Sequence, residues 1–276
     1  MVLTILTLLG CFLGFSLLAR FWPCNPGQRA FLPKGLPDDM LYFLTGTLVY
    51  TGLSAAILSW VVHLFLAGDA PRMLQAMKAG YGLLPHLPLA VQVLIVLVVT
   101  DVFQYWVHRG FHHSSALWPF HAVHHSAEEV NWTTTFRNHP VNLIASNTTV
   151  AVATAAMGFS PLVFVIVGPF NFISAAMVHA NVNWTFGPFR YVLSSPVFHR
   201  WHHVMDLEAR DKNFAPTFPV LDLIFGTFYM PKGRLPEVYG AEGVPSNFLG
   251  QLIYPLKVTA ERLAAQFKPG FRSRPA

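Results

Sequence analysis

The sequence predicts an all-α integral membrane protein, with four to five transmembrane helices and a cytosolic helical cap. Three observations predict it. Of 276 residues 53% are hydrophobic and only 11% charged, against roughly 25% charged in an average soluble domain. Several long stretches are apolar and uncharged, and eleven of the thirteen His crowd between His108 and His203, outside those stretches. A mean hydropathy of +0.44 and 24 Phe also exclude a disordered chain, a collagen-like repeat and a solvated coiled coil.

The expected spans follow in order. Residues 2–18 are apolar, with no Lys or Arg before them, so the basic start of a cleavable signal peptide is lacking and a retained span is expected. Residues 41–67 carry no charge, and 27 helical residues cover roughly 40 Å, enough to cross a bilayer core with some tilt. Residues 87–107 form a third span whose one acid, Asp101, lies near its end. From Arg137 to Arg190 there is no Asp, Glu, Lys or Arg between the two, and Gly158-Phe159-Ser160-Pro161 breaks the stretch into residues 143–157 and 162–178. Two antiparallel helices joined by a tight turn are expected there.

Such a hairpin leaves and returns on one side, so residues 108–140 and 179–240 share one aqueous compartment as the cap. The loop on that side between the first two spans carries Arg20, Arg29 and Lys34, whereas the opposite loop has Arg72 and Lys78. By the positive-inside rule the cap is cytoplasmic. Residues 241–276 read as a peripheral tail, with Leu263 and Phe267 among Lys257, Arg262 and Lys268, suited to a lipid headgroup interface. The basic residues form no compact run interleaved with aromatics, so nucleic acid is not expected as a partner.

The histidines carry the chemistry. His108 and His112 are an i, i+4 pair, and His121, His124, His125 and His199, His202, His203 are two H-x-x-H-H sets. On helices each set aims at least two imidazoles at one point. Imidazole donors suit Fe, Zn, Cu or Ni. With Cys11 and Cys24 the only cysteines, no thiolate cage is available. Eight clustered His exceed the ligands of one ion, so two metals are expected. His139 and His179 would raise the supply to ten, and His113 is an alternative to His112. His63 and His86 stand outside the cluster and read as ordinary surface or core residues.

The ordered run of Asp101 through His108 to His112, then Leu117-Trp-Pro-Phe-His121-Ala-Val-His124-His125, Arg137-Asn-His139-Pro140, and His199-Arg-Trp-His202-His203 resembles the fatty acid hydroxylase and sterol desaturase superfamily of integral-membrane di-iron enzymes. Asn213-Phe214 and the segment from Asp222 to Thr227 resemble its bacterial members. The resemblance covers about residues 100–230 and implies one membrane-embedded catalytic domain over residues 1–276. It implies O2-dependent oxidation of an unactivated lipid C–H bond by two Fe ions, which zinc can replace in purified protein. The metal ligands it implies are His108, His112, His121, His124, His125, His199, His202 and His203, with His139 and His179. The chain departs from the family at Asn142 and Asn181, where a carboxylate and a second His often stand.

Asp101 lies seven residues before His108 on one helical face, and is a candidate to accept a hydrogen bond from a ligand His and fix its tautomer. Glu128, Glu129, Asp206 and Asp222 are further candidates, Glu128 and Asp206 foremost beside Asp101 as catalytic acids. The expected partners are a lipid entering from the bilayer and a separate electron donor, since Gly80-Tyr-Gly82 lacks the third Gly of a dinucleotide fingerprint and no haem-binding His-Pro-Gly-Gly segment occurs. A ferredoxin, a cytochrome b5 or a flavin reductase would serve. Hydroxylation of a fatty acyl, sterol or related lipid is the leading activity. A lipid desaturase, a sterol methyl oxidase and an ether-lipid monooxygenase use the same scaffold. A transition-metal transporter or a haem electron carrier would place His within the spans, whereas ten of the thirteen here flank them.

Overall fold

A computed structural model describes residues 2–266 apart from 66–68, 70, 72–74, 76 and 77. Its long helices are α1 (Val2–Phe21), α2 (Leu36–Phe65), α3 (Leu89–His113), α5 (Pro140–Met157), α6 (Pro161–His179) and α9 (Phe248–Gln266). The short helices α4 (Trp118–His125), α7 (Pro196–His202) and α8 (Val220–Ile224) lie between them. Among the described residues the one strand-like feature is an isolated antiparallel bridge between Val204 and Tyr239. Over their described residues all five stretches expected to span are helical, apart from Leu87 and Pro88 at the start of the third. Residues 66 and 67 of the second, together with Arg72 and the tail residues Phe267 and Lys268, lie outside the described residues.

Among the described helices α3 and α6 are long and apolar enough to cross a membrane, and Leu6–Phe21 is a shorter apolar segment. Leu9, Leu13, Leu48, Leu94, Val165 and Ile173 are exposed on α1, α2, α3 and α6, an apolar surface that water would not favour. The main contacts set α2 against α5, and both α5 and α6 against α3. Val96 of α3 meets Phe159, Val163 and Val167 in a fully apolar cluster.

Local signals fix the helix ends. Pro140, Pro161 and Pro196 each start a helix, where a missing N–H costs nothing. Ser160 and Ser195 cap α6 and α7 through their hydroxyls. Gly158 ends α5 in the left-handed region at φ 69°, and a Cβ there would run into the Tyr81 carbonyl. The hairpin turn is thus tied to the loop before α3, with the Tyr81 N–H donating to the Gly158 carbonyl at 2.8 Å.

A buried ion pair joins α2 to the cap. Arg137 Nε donates to Asp39 Oδ1 at 2.7 Å and Thr133 Oγ1 to Asp39 Oδ2 at 2.6 Å, with Asp39 wholly buried. Removing one partner strands the other charge in a dry site. Asp39→Ala is expected to lower stability by about 3–5 kcal/mol, measured by denaturant unfolding of the purified protein in detergent.

Candidate metal centre

The helix α3 continues without a break past its apolar stretch to His113, which carries His108 and His112 up from the bundle one turn apart. His121, His124 and His125 lie on α4, His179 is the last residue of α6, and His199 and His202 lie on α7 with His203 as its C-cap. Nine imidazoles converge in two adjacent groups. His108, His112, His121, His125 and His202 form one, and His124, His179, His199 and His203 the other, with ligand atoms in each within 4.8 Å of one another. Both H-x-x-H-H sets are therefore divided. α4 gives two His to the first group and one to the second, and α7 with its cap does the reverse. His125 and His203 stack across the boundary at 4.5 Å between ring centroids.

Hydrogen bonds fix which nitrogen is free. The Nδ1 atoms of His108, His124, His179 and His202 lie 2.9, 3.1, 2.7 and 2.7 Å from the backbone carbonyls of Phe214, Arg137, Ala175 and Lys212. A carbonyl only accepts, so each Nδ1 must carry the proton and each Nε2 is a bare lone pair. His121 follows suit. Its Nδ1 faces Asn142 Oδ1 at 3.1 Å, while Asn142 Nδ2 donates to Asn138 Oδ1 at 3.2 Å, which settles the orientation of the amide.

These bare atoms point at each other. His108 and His121 bring their Nε2 atoms to 3.0 Å, and His124 and His179 to 3.2 Å. Neither pair has a proton to share, so the contacts are repulsive unless a cation lies between them. Two imidazole nitrogens held about 2.0–2.1 Å from one ion sit roughly 2.8–3.4 Å apart. The residues therefore fit metal ions, and the donor set, imidazoles alone, suits a transition metal. His112 Nε2 is likewise buried without a partner.

Two of the four supporting carbonyls, those of Lys212 and Phe214, come from residues 211–214. Asp211 and Asn213 adopt left-handed φ values of 56° and 59°, and Asp211 Oδ1 meets His112 Nδ1 at 3.2 Å. Buried Asp222 accepts the Phe214 and Ala215 N–H groups at 2.8 and 2.9 Å. Asp101 accepts those of Thr217 and Phe218 at 2.7 and 2.9 Å. Asp101 thus holds the segment beside the His108 partner and touches no imidazole. Arg200, fully buried, donates to the His179 carbonyl at 3.1 Å and also to the Val130 carbonyl and Asn25.

The other sequence candidates are placed elsewhere. Glu128 pairs with Lys34 at 2.5 Å on the exposed surface. Asp206 caps a short turn through the Glu208 N–H at 3.1 Å and pairs with Arg234 at 3.3 Å. His139 caps α5, its Nδ1 accepting the Val141 N–H and its Nε2 donating to the Leu252 carbonyl, and it stands apart from both groups. His113 joins neither, and His63 and His86 are exposed.

Two cavities reach the centre from different directions. One, of about 520 Å³, runs between α5 and α6 with α3 beneath it and touches His108, His121, His124, His179 and His199. The other, of about 500 Å³, lies among cap residues including Asp206, Arg210, Asp211 and Glu242, and touches His112, His125 and His202. Burial, reinforced by neighbouring imidazoles, pushes the pKa values of His121, His124, His125, His199, His202 and His203 well below the usual 6.5. They are neutral, the form that binds metal.

Residues 93–227 match the fatty acid hydroxylase family. Among curated proteins, the chain is 31% identical over 169 residues to the ornithine lipid hydroxylase OlsE of Rhizobium tropici, covering 61% of this chain and 51% of that protein. It is 31% identical over 140 residues to the human alkylglycerol monooxygenase, covering 51% and 31%, and 32% identical over 162 residues to the very-long-chain aldehyde decarbonylase GL1-1 of Oryza sativa, covering 52% and 25%. The chain thus spans half the length of the first of these relatives and a third or less of the others. No solved structure matches it.

Asn142→Leu leaves the His121 Nδ1–H unpaired in a buried site, and is expected to weaken metal binding by about 10–100-fold, read by competition with a chelator. The metal-free protein should lose stability as pH falls from 6.5 downwards. There the unfolded chain takes up protons that the buried imidazoles refuse, so unfolding binds protons and acid favours it. Thermal unfolding of the stripped protein between pH 7.5 and 5 measures this, and a midpoint independent of pH would contradict the burial of neutral imidazoles.

Proposed function

Residues 93–227 belong to the fatty acid hydroxylase family, and from that premise we propose that the chain is a membrane-embedded di-iron oxidoreductase that hydroxylates a lipid C–H bond with O2. The observation that carries this reading is the facing of bare Nε2 atoms in two adjacent imidazole groups. His108, His112, His121, His125 and His202 hold one iron, and His124, His179, His199 and His203 the other, while His139 serves as a helix cap. Iron bound there supplies reductive activation of O2 and removal of hydrogen from an unactivated carbon.

The chain's own contribution is positioning. Nδ1–H bonds to carbonyls fix the imidazole orientations before any metal arrives. The cavity between α5 and α6, which both pack on α3 and scarcely touch each other, admits a lipid from the bilayer side and keeps bulk water from the reacting carbon. The cap cavity beside His112, His125 and His202 faces water, and there a separate donor such as a ferredoxin, a cytochrome b5 or a flavin reductase delivers two electrons per turnover. The five apolar helices lie in the bilayer, with the cap on the cytoplasmic side, a reading that the Lys and Arg distribution supports. The helix α9 rests at the lipid surface, where Leu249, Ile253 and Leu256 are exposed beside Lys257 and Arg262.

Purified protein reconstituted with iron and a reductant should consume O2 only when membrane lipid is added, and mass spectrometry should find product 16 mass units heavier. A loss of 2 units would identify a desaturase instead. His124→Ala and His202→Ala each remove one ligand from a different group. Both are expected to abolish turnover and to lower the bound metal from about two ions per chain, with the protein still inserted in the membrane. Full activity in both variants would overturn the ligand assignment.

A further inference from the structure

The cavity between α5 and α6 is not lined as a slot for bare hydrocarbon. One wall is apolar, with Val96, Phe164 and Val167, but Asn147 of α5 and Asn171 of α6 line it too, with Ser174 nearer the imidazoles. Asn147 is half-buried and Asn171 is exposed, and none of these three side chains hydrogen-bonds another described residue. Asn171 sits among Val165, Phe170 and Ile173, all exposed apolar side chains on a helix long enough to span a membrane. An amide in such a place is costly in hydrocarbon unless a ligand or another polar group satisfies it.

The charge of the cavity narrows the ligand. Among the described residues no Lys, Arg or Glu lines it, and the one carboxylate, Asp101, is committed to two backbone N–H groups. Beside Asn147 and Asn171, the latter about 12 Å along the helix from His179, a carboxylate, phosphate or ammonium would therefore find no charged side chain to pair with. A neutral ester, ether, hydroxyl or amide would meet both the donors and the acceptors of the two asparagines. Asn171 precedes His179 by eight residues, about 12 Å along the helix, and Ser174 by five, about 7.5 Å.

We infer that the cavity selects lipids bearing an uncharged hydrogen-bonding group, seated between Asn147 and Asn171, with the carbon to be oxidised no more than about 12 Å from that group along the chain. This rests on the reading above that a bilayer lipid is oxidised at this centre. Asn147 and Asn171 are then specificity-determining residues that touch the substrate away from the reacting carbon.

Equilibrium binding to the purified, metal-free protein in detergent tests this with four labelled probes of equal chain length: 1-monopalmitoylglycerol, palmitamide, palmitate and hexadecane. The two neutral polar probes are expected to bind at least about tenfold more tightly than palmitate and hexadecane, the difference one good buried hydrogen bond makes. The double variant Asn147→Leu/Asn171→Leu should erase that preference while hexadecane binds as well as before, which also shows that the cavity is intact. Should the double variant not fold, Asn171→Ala alone carries the same expectation. Equal or tighter wild-type binding of palmitate or hexadecane, or an unchanged preference in the variants, would overturn the inference. Selective binding without O2-dependent oxidation of any lipid would instead leave the cavity assignment standing and remove the proposed activity.

Discussion

The structure turns on one hydrogen-bonding commitment, the proton on Nδ1. Four imidazoles spend that proton on backbone carbonyls and a fifth on the Asn142 side chain, so five lone pairs are left facing inwards, and in the His108–His121 and His124–His179 pairs two of them face each other with no proton between. Much of the cap exists to hold the acceptors still. Asp101, Asp222 and Asn213 fix residues 211–218, and the Asp39–Arg137 pair fixes the turn whose carbonyl receives His124. Their buried charges and amides are satisfied locally, which is how a cap this polar can sit dry against an apolar bundle.

The bundle and the cap meet without a hinge. Because α3 and α6 each run from the apolar zone straight into a ligand position, His108 and His112 at one helix end and His179 at the other are set by helix packing rather than by loops. In the proposed reading, lipid and electrons then approach the same centre through separate cavities and do not compete for one entrance. The fully apolar contact between Val96 and Val163 keeps the two ligand-bearing helices at a fixed spacing.

Much of this was legible in the sequence where the signal is local. Gly158, Ser160 and Pro161 announce the hairpin because each solves a backbone problem at its own position, a left-handed cap, a missing acceptor and a dispensable N–H. The His sets were visible because i, i+3, i+4 spacing places rings on one face. That same periodicity is silent on which ring goes to which group, since the split depends on how α4 and α7 meet in space. The acids were harder. Asp101 does share a face with His108, yet its carboxylate goes to amides 116 and 117 residues later in the chain, and no local pattern encodes that. Glu128 and Asp206 are near the cluster in sequence but bind surface cations. Asp211 carries a signal only in its residue type, since Asp211 and Asn213 tolerate the left-handed region and stand just after the last His set. At His139 the Arg-x-His-Pro run marks a helix start, which is the role the ring fills in the structure.

The divided H-x-x-H-H sets tie the two groups of imidazoles to each other. Since α4 and α7 each reach into both groups, the two groups share one scaffold, and a displacement of either helix moves imidazoles of both. Neither pocket can be retuned in isolation, because shifting either helix disturbs its neighbour as well. The two halves of the centre are one structural unit rather than two separable pockets.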